Sequence, residues 1–131
     1  MPLPITSVFA GLLALWMIYL LFKVVGFRRG RKVSLGDAGD EMGERLIRAH
    51  GNAAENIPIF LILMGLSEGM GSPARVLWAL GGLFLAGRLM HGVHFFEVRE
   101  GFRLRFYGML STIIATVLMA LGALGHGLAA L

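Results

Sequence analysis

Residues 5–25 form an apolar run in which Lys23 is the only charge, and this run decides the class of fold open to the chain. About 21 residues of helix reach roughly 30 Å, the thickness of a bilayer's hydrocarbon core. In lipid the backbone has to satisfy its own hydrogen bonds, which a helix does within one segment. Lys23 sits near the end of the run, where its stem can snorkel towards the interface. The run does not read as a cleavable leader. No Lys or Arg precedes it, the positive charges follow it, and no small-residue cleavage site closes it.

Three more segments follow. Residues 41–69 read as a second helix, charged in its first half and apolar all round over 57–66. Residues 74–96 and 106–130 read as the third and fourth. The first connection, 26–40, is basic and then glycine-rich: Arg28, Arg29, Arg31 and Lys32 precede Gly36-Asp37-Ala38-Gly39-Asp40. The Gly/Asp pattern is turn chemistry. Asp40 is placed to cap the second helix, and Glu41 and Glu44 suit its positive end. Pro58 lacks an N–H and is expected to kink that helix near Ala54. A short turn, Gly69-Met70-Gly71-Ser72-Pro73, leads to the third helix, and a charged loop, 97–105, leads to the fourth. Short connections favour an up-down-up-down bundle. The expected fold is therefore an all-α, integral membrane four-helix bundle. A length of 131 residues, 56% hydrophobic and 15% charged, fits one such domain.

Charge placement sets the expected topology. The first and third connections carry nearly all the Lys and Arg, whereas the second carries Arg75 alone. The positive-inside rule puts both basic loops in the cytoplasm and both termini outside it. The net charge of +4 is thus accounted for by topology and lipid headgroups, and no nucleic-acid-binding motif accompanies it. Cysteine is absent, which excludes a disulfide framework, a Cys-based zinc site and a cysteine nucleophile. Any thiol chemistry has to use a thiol brought in by a substrate. The four histidines are scattered; His94 and His126 read as packing or interfacial groups, and no metal site is expected.

The densest chemistry lies at the start of the second helix: Glu44-Arg45-Leu46-Ile47-Arg48-Ala49-His50-Gly51-Asn52-Ala53-Ala54-Glu55-Asn56-Ile57-Pro58. At about 100° per residue, Glu44, Arg48, Asn52 and Glu55 fall at roughly 0°, 40°, 80° and 20°, on one face. Ionisable groups at membrane depth are costly and usually mark function. Such a face can pair its own charges or grip a zwitterionic, peptide-like ligand. The plain alternative is an ion-pair network that only joins helices, with Glu44, Arg45 and His91 as structural partners. On the third helix Arg88 and His91 differ by about 300° and are neighbours, with His94 displaced.

These residues resemble the MAPEG family, the membrane-associated proteins of eicosanoid and glutathione metabolism, and look closest to its bacterial members. The resemblance rests on Glu44-Arg45-x-x-Arg48-Ala49-His50-x-Asn52-x-x-Glu55-x-x-Pro58, on Gly87-Arg88-x-x-His91, and on an Arg-rich entrance to the fourth helix. It implies a homotrimer in a bacterial inner membrane with glutathione bound between neighbouring subunits near the cytoplasmic side. Carried over by position, Arg48, Asn52 and Glu55 would hold the tripeptide, Glu55 at its α-amino group and Arg48 at a carboxylate. His50 would reach glutathione in the adjacent subunit, as would an arginine of the first loop, Arg28 or equally Arg29 or Arg31. Arg88 would line the cavity. Arg105, with Arg103 as the alternative, would stabilise the glutathione thiolate.

The implied activity is a membrane-bound glutathione transferase, or glutathione peroxidase, acting in detoxification on hydrophobic electrophiles or lipid hydroperoxides. Two departures bear on it. Family enzymes often carry a tyrosine one turn beyond the position of His91, where this chain has Phe95. The polar residues early in the fourth helix of the eicosanoid synthases are replaced by Phe106, Gly108 and Met109, with Tyr107 nearby. An alternative is a non-enzymatic member that binds glutathione or a partner. A more remote one is a small proton-coupled drug exporter, which typically carries a lone glutamate in its first helix, whereas this first helix has none.

Overall fold

The computed structural model describes residues 1–98 and 101–131, so Arg99 and Glu100 of the third connection lie outside the described residues. The chain forms four helices and, among the described residues, no strand: α1 Pro4–Arg31, α2 Glu41–Gly69, α3 Ala74–His94 and α4 Arg103–Ala129. Three of them, α1, α3 and α4, are long and apolar enough to cross a membrane. The length of α2 is similar, but its first half carries the charges.

The ends of α1 explain its extra length. Pro4 stands in the first turn, where a missing N–H costs nothing. Leu3 provides no cap, and the Glu68 carboxylate of α2 does so from across the bundle, accepting from Ile5 N at 2.9 Å and Thr6 N at 2.7 Å. At the other end Lys32 adopts left-handed φ 55°, and Lys32 N and Val33 N donate back to Arg29 O and Arg28 O. Arg28, Arg29 and Arg31 therefore stand on the last turn of α1 and not in a loop, where their charge suits the helix dipole. Asp40 caps α2 as expected, accepting from Met42 N at 2.8 Å, and pairs with Arg31. The α2 helix runs unbroken through Pro58.

Contacts fix the directions. Ile5 meets Glu68, Asn52 meets Arg88, and a Cβ on Gly108 would meet His91, so α1/α2, α2/α3 and α3/α4 are antiparallel. Around the bundle the order is α1, α2, α4, α3, with α2 and α3 also touching across the diagonal. Among the described residues α1 and α4 make no contact. The core is Leu13, Leu20, Ile57, Phe60, Met64, Leu77, Phe84 and Met119, with Phe60 stacked on Phe84 at 3.8 Å. Leu15, Phe22, Ile62, Leu121 and Leu124 face outwards, as lipid-facing side chains do.

On α2 the buried residues Leu46, Ala49, Ala53, Ile57, Phe60 and Met64 fall at about 140° to 220° from Glu44. The charged face at about 0° to 80° therefore points away from the core of its own chain. Only its edge, at Arg45 and Asn52, reaches α3.

Candidate functional site

Arg88 is the largest fully buried side chain, 1% exposed, and it ties three helices together. Nη1 donates to Asn52 Oδ1 at 2.6 Å, Nε to Thr112 Oγ1 at 3.0 Å, and Nη2 approaches Met109 Sδ at 3.6 Å. None of these partners is a carboxylate. Thr112 is itself set by its bond to Gly108 O at 2.9 Å. Close approach of α3 to α4 makes this possible: a Cβ on Gly87 would stand 2.7 Å from Gly108 O, and one on Gly108 2.6 Å from His91 N. Sequence reasoning placed Arg88 in the cavity wall, whereas it stands one layer behind, holding Asn52. With its oxygen engaged by Arg88, Asn52 offers its amide nitrogen as a donor.

Two cavities meet at this point, and both are lined by Asn52, His91 and Arg105. One, of about 220 Å³, is polar: Glu44, Arg45, Arg48 and Phe95 complete it. The other, of about 590 Å³, is apolar: Phe102, Phe106, Met109, Leu110 and Ile113 carry it along α4. Arg105 stands on the seam, whereas Arg103 lines neither. Both arginines occupy the first turn of α4, which itself holds no acidic residue and where the helix dipole disfavours cations. A residue kept against local electrostatics points to a functional demand.

Phe95 organises the polar cavity. Its ring centroid lies 5.4 Å from the Arg45 guanidinium carbon and 5.9 Å from that of Arg105. His91 and His94 flank it at 5.1 and 5.2 Å. The ring thus supplies the two arginines with a cation–π surface in place of a hydroxyl.

The expected ion pairs of Glu44, Arg45 and His91 are not what the geometry gives. Arg45 donates to the carbonyls of His94 and Glu97, both at 2.7 Å, and so closes the C-terminal end of α3. Glu44 and His91 line the polar cavity. The pairing arises elsewhere, between Arg48 and Glu55 at 4.0 Å, with both side chains more than half exposed. An exposed pair at that separation contributes little and leaves both groups free to bind. Arg28 donates to Gly36 O at 3.1 Å and holds the first connection. His50 and Glu55 line neither cavity; Glu55 stands on the outward face of α2, whereas half-buried His50, at about 240° from Glu44, borders the buried arc. One chain therefore gathers Arg48, Asn52 and Arg105, with Glu55 paired to Arg48, sets Arg88 behind them, and leaves Arg28 and His50 apart. The lining roles of Arg45, His91 and Met109 escaped the sequence, though Arg45 and Asn52 share the edge of α2 that faces α3.

Comparison with known proteins agrees with this architecture. The MAPEG family model matches residues 6–125. Inner membrane protein YecN of Escherichia coli strain K12 is 38% identical over 122 residues, covering 93% of this chain and 92% of that protein. The protein of the same name from Escherichia coli O6:H1, strain CFT073, matches with the same identity and coverage.

Proposed function

We propose that the chain, which belongs to the MAPEG family, is a membrane-bound glutathione transferase for hydrophobic electrophiles, with glutathione peroxidase activity on lipid hydroperoxides. The observation that carries this reading is the pair of cavities joined at Arg105. A cationic polar cavity suits a charged tripeptide, and an apolar one open along α4 suits a substrate dissolved in the bilayer. In this reading Arg48 and the Asn52 amide bind glutathione, and Arg105 faces its sulfur. A free thiol of pKa about 8.5 is only about 3% ionised at pH 7, and a shift of about two units makes it mostly thiolate. A guanidinium at the edge of an apolar cavity supplies a shift of that kind. With an electrophilic carbon, the thiol proton leaves to solvent, the sulfur lone pair forms the new C–S bond, and the leaving group departs with its bonding pair. With a lipid hydroperoxide, the thiolate attacks the terminal peroxide oxygen, and the lipid alkoxide leaves and takes a proton. A second glutathione then converts the sulfenic acid to the disulfide with loss of water.

The outward charged face of α2 supports a homotrimer in which a neighbour covers Arg48 and Glu55, and in which these groups, with His50 and Arg28, complete the site across the interface. Similarity to an inner membrane protein of Escherichia coli supports an inner-membrane location, and the two basic connections support termini outside the cytoplasm. Arg105→Leu is expected to lower conjugation at pH 7 at least about tenfold and to regain rate as pH rises towards the free thiol's range. Arg103→Leu is expected to leave it near wild type. Unchanged conjugation in Arg105→Leu would sink the mechanism. Phe95 favours a second reading, since its ring offers a bound thiol no hydroxyl: a member that binds glutathione without turning it over. Tight binding with no conjugation across a broad electrophile panel would select it.

A further inference from the structure

The outer face between α1 and α3 holds a groove that the proposed reaction does not use. Leu12, Trp16 and Tyr19 form one wall; Leu85 and Leu89 of α3, with Phe96 just beyond its end, form the other, enclosing about 560 Å³. The walls are fixed by close packing. A Cβ on Gly92 would stand 2.5 Å from the Trp16 ring, so the indole lies directly against the α3 backbone. Trp16 stacks on Tyr19 at 5.5 Å, and Phe96 closes on the two rings at 6.1 and 5.8 Å.

One end of the groove is charged. Lys23, one turn beyond Tyr19, holds its Nζ 4.7 Å from the Phe96 ring centroid and 5.5 Å from that of Tyr19. Among the described residues it pairs with no carboxylate. A cation seated on two aromatic faces keeps its charge and its N–H donors for an anion. Aromatic rings beside a lysine at a helix end are also what the membrane interface favours.

We infer that this groove is a site for an anionic phospholipid, whose acyl chain lies along α1 and α3 and whose phosphate meets Lys23. A zwitterionic choline headgroup brings its own cation and leaves the lysine without a net counter-charge. A helix of a second copy is the competing occupant, and quenching by brominated lipid separates it from a phospholipid. The inference stands independently of the transferase reading, because none of its residues lines either cavity of the site.

The chain has only two tryptophans, so Trp78→Phe leaves Trp16 as a reporter inside the groove. The test is quenching of Trp16 fluorescence in phosphatidylglycerol/phosphatidylcholine vesicles, with bromine on the acyl chains of one lipid or the other. Brominated phosphatidylglycerol is expected to compete for the groove about fivefold better than brominated phosphatidylcholine, the preference one interfacial lysine commands. Lys23→Gln should abolish that preference without changing the choline lipid's quenching, and Lys23→Arg should keep it. Equal quenching by both lipids would overturn the inference by reducing the groove to ordinary boundary lipid. Quenching by neither would overturn it in favour of a protein cover, and a preference surviving Lys23→Gln would remove the lysine's role.

Discussion

A guanidinium with 1% exposure, held by Asn52, Thr112 and Met109, shapes what the neighbouring residues can do. Its fork fixes the Asn52 amide, which lines both cavities, so a change at a residue outside the cavities reaches a ligand through one hydrogen bond. Thr112→Val keeps the volume of the side chain and removes the acceptor for Arg88 Nε. It is expected to cost about 1.5–3 kcal/mol, the range for hydrogen bonds to charged groups, read as a lower midpoint of thermal unfolding in detergent. An unchanged midpoint would show that Arg88 is anchored elsewhere. At this scale the sequence was partly readable. The helical spacing put Arg88 beside His91 and put Glu44, Arg48, Asn52 and Glu55 on one face of α2. It did not reveal that this face turns from the core, because periodicity orders residues around one helix without saying which neighbour covers them. Nor did it pair Arg45 with two carbonyls instead of Glu44, since those acceptors lie about fifty positions away in the backbone.

The four helices were legible as elements because each apolar stretch ends in charge, glycine or proline. Their ends were less so. The left-handed turn at Lys32 lets α1 continue past two glycines to Arg31, and α4 begins at Arg103, taking in residues expected in the loop. The Glu68 cap on α1 left no local signal, because helix and cap are more than sixty residues apart. Glycine's role also depends on packing that a sequence hides. Gly108 faces backbone, with His91 N and Gly87 O in the way of a side chain, whereas nothing stands within 4 Å of a Cβ on Gly122. Gly108→Ala has to push α3 and α4 apart and is expected to destabilise by about 1–3 kcal/mol. Gly122→Ala is expected to be neutral or to stabilise by up to about 1 kcal/mol. Comparing the two unfolding midpoints checks the close approach, and equal midpoints would contradict it.

The bundle as a whole places every site group at the end where α1 and α3 finish and α2 and α4 begin. That is also the end rich in Arg and Lys, so topology and site location are one question. The cysteine-free sequence makes it accessible. Ser34→Cys in the first connection should react with a membrane-impermeant maleimide only from the cytoplasmic side, and Ser72→Cys only from the opposite side; the reverse pattern would invert the orientation. The order α1, α2, α4, α3 was not legible, since short connections fix only which helices are consecutive. This order separates α1 from α4 and leaves the apolar cavity along α4 open to lipid. The proposed reaction requires this end of the bundle to ionise a bound thiol. Calorimetry of glutathione into the detergent-purified protein at pH 7, in two buffers of different ionisation enthalpy, measures it directly. Heats that differ between the buffers in the sense of proton release are the expected result. Equal heats would show that the thiol stays protonated, and the absence of binding to the folded protein would contradict the account at its root.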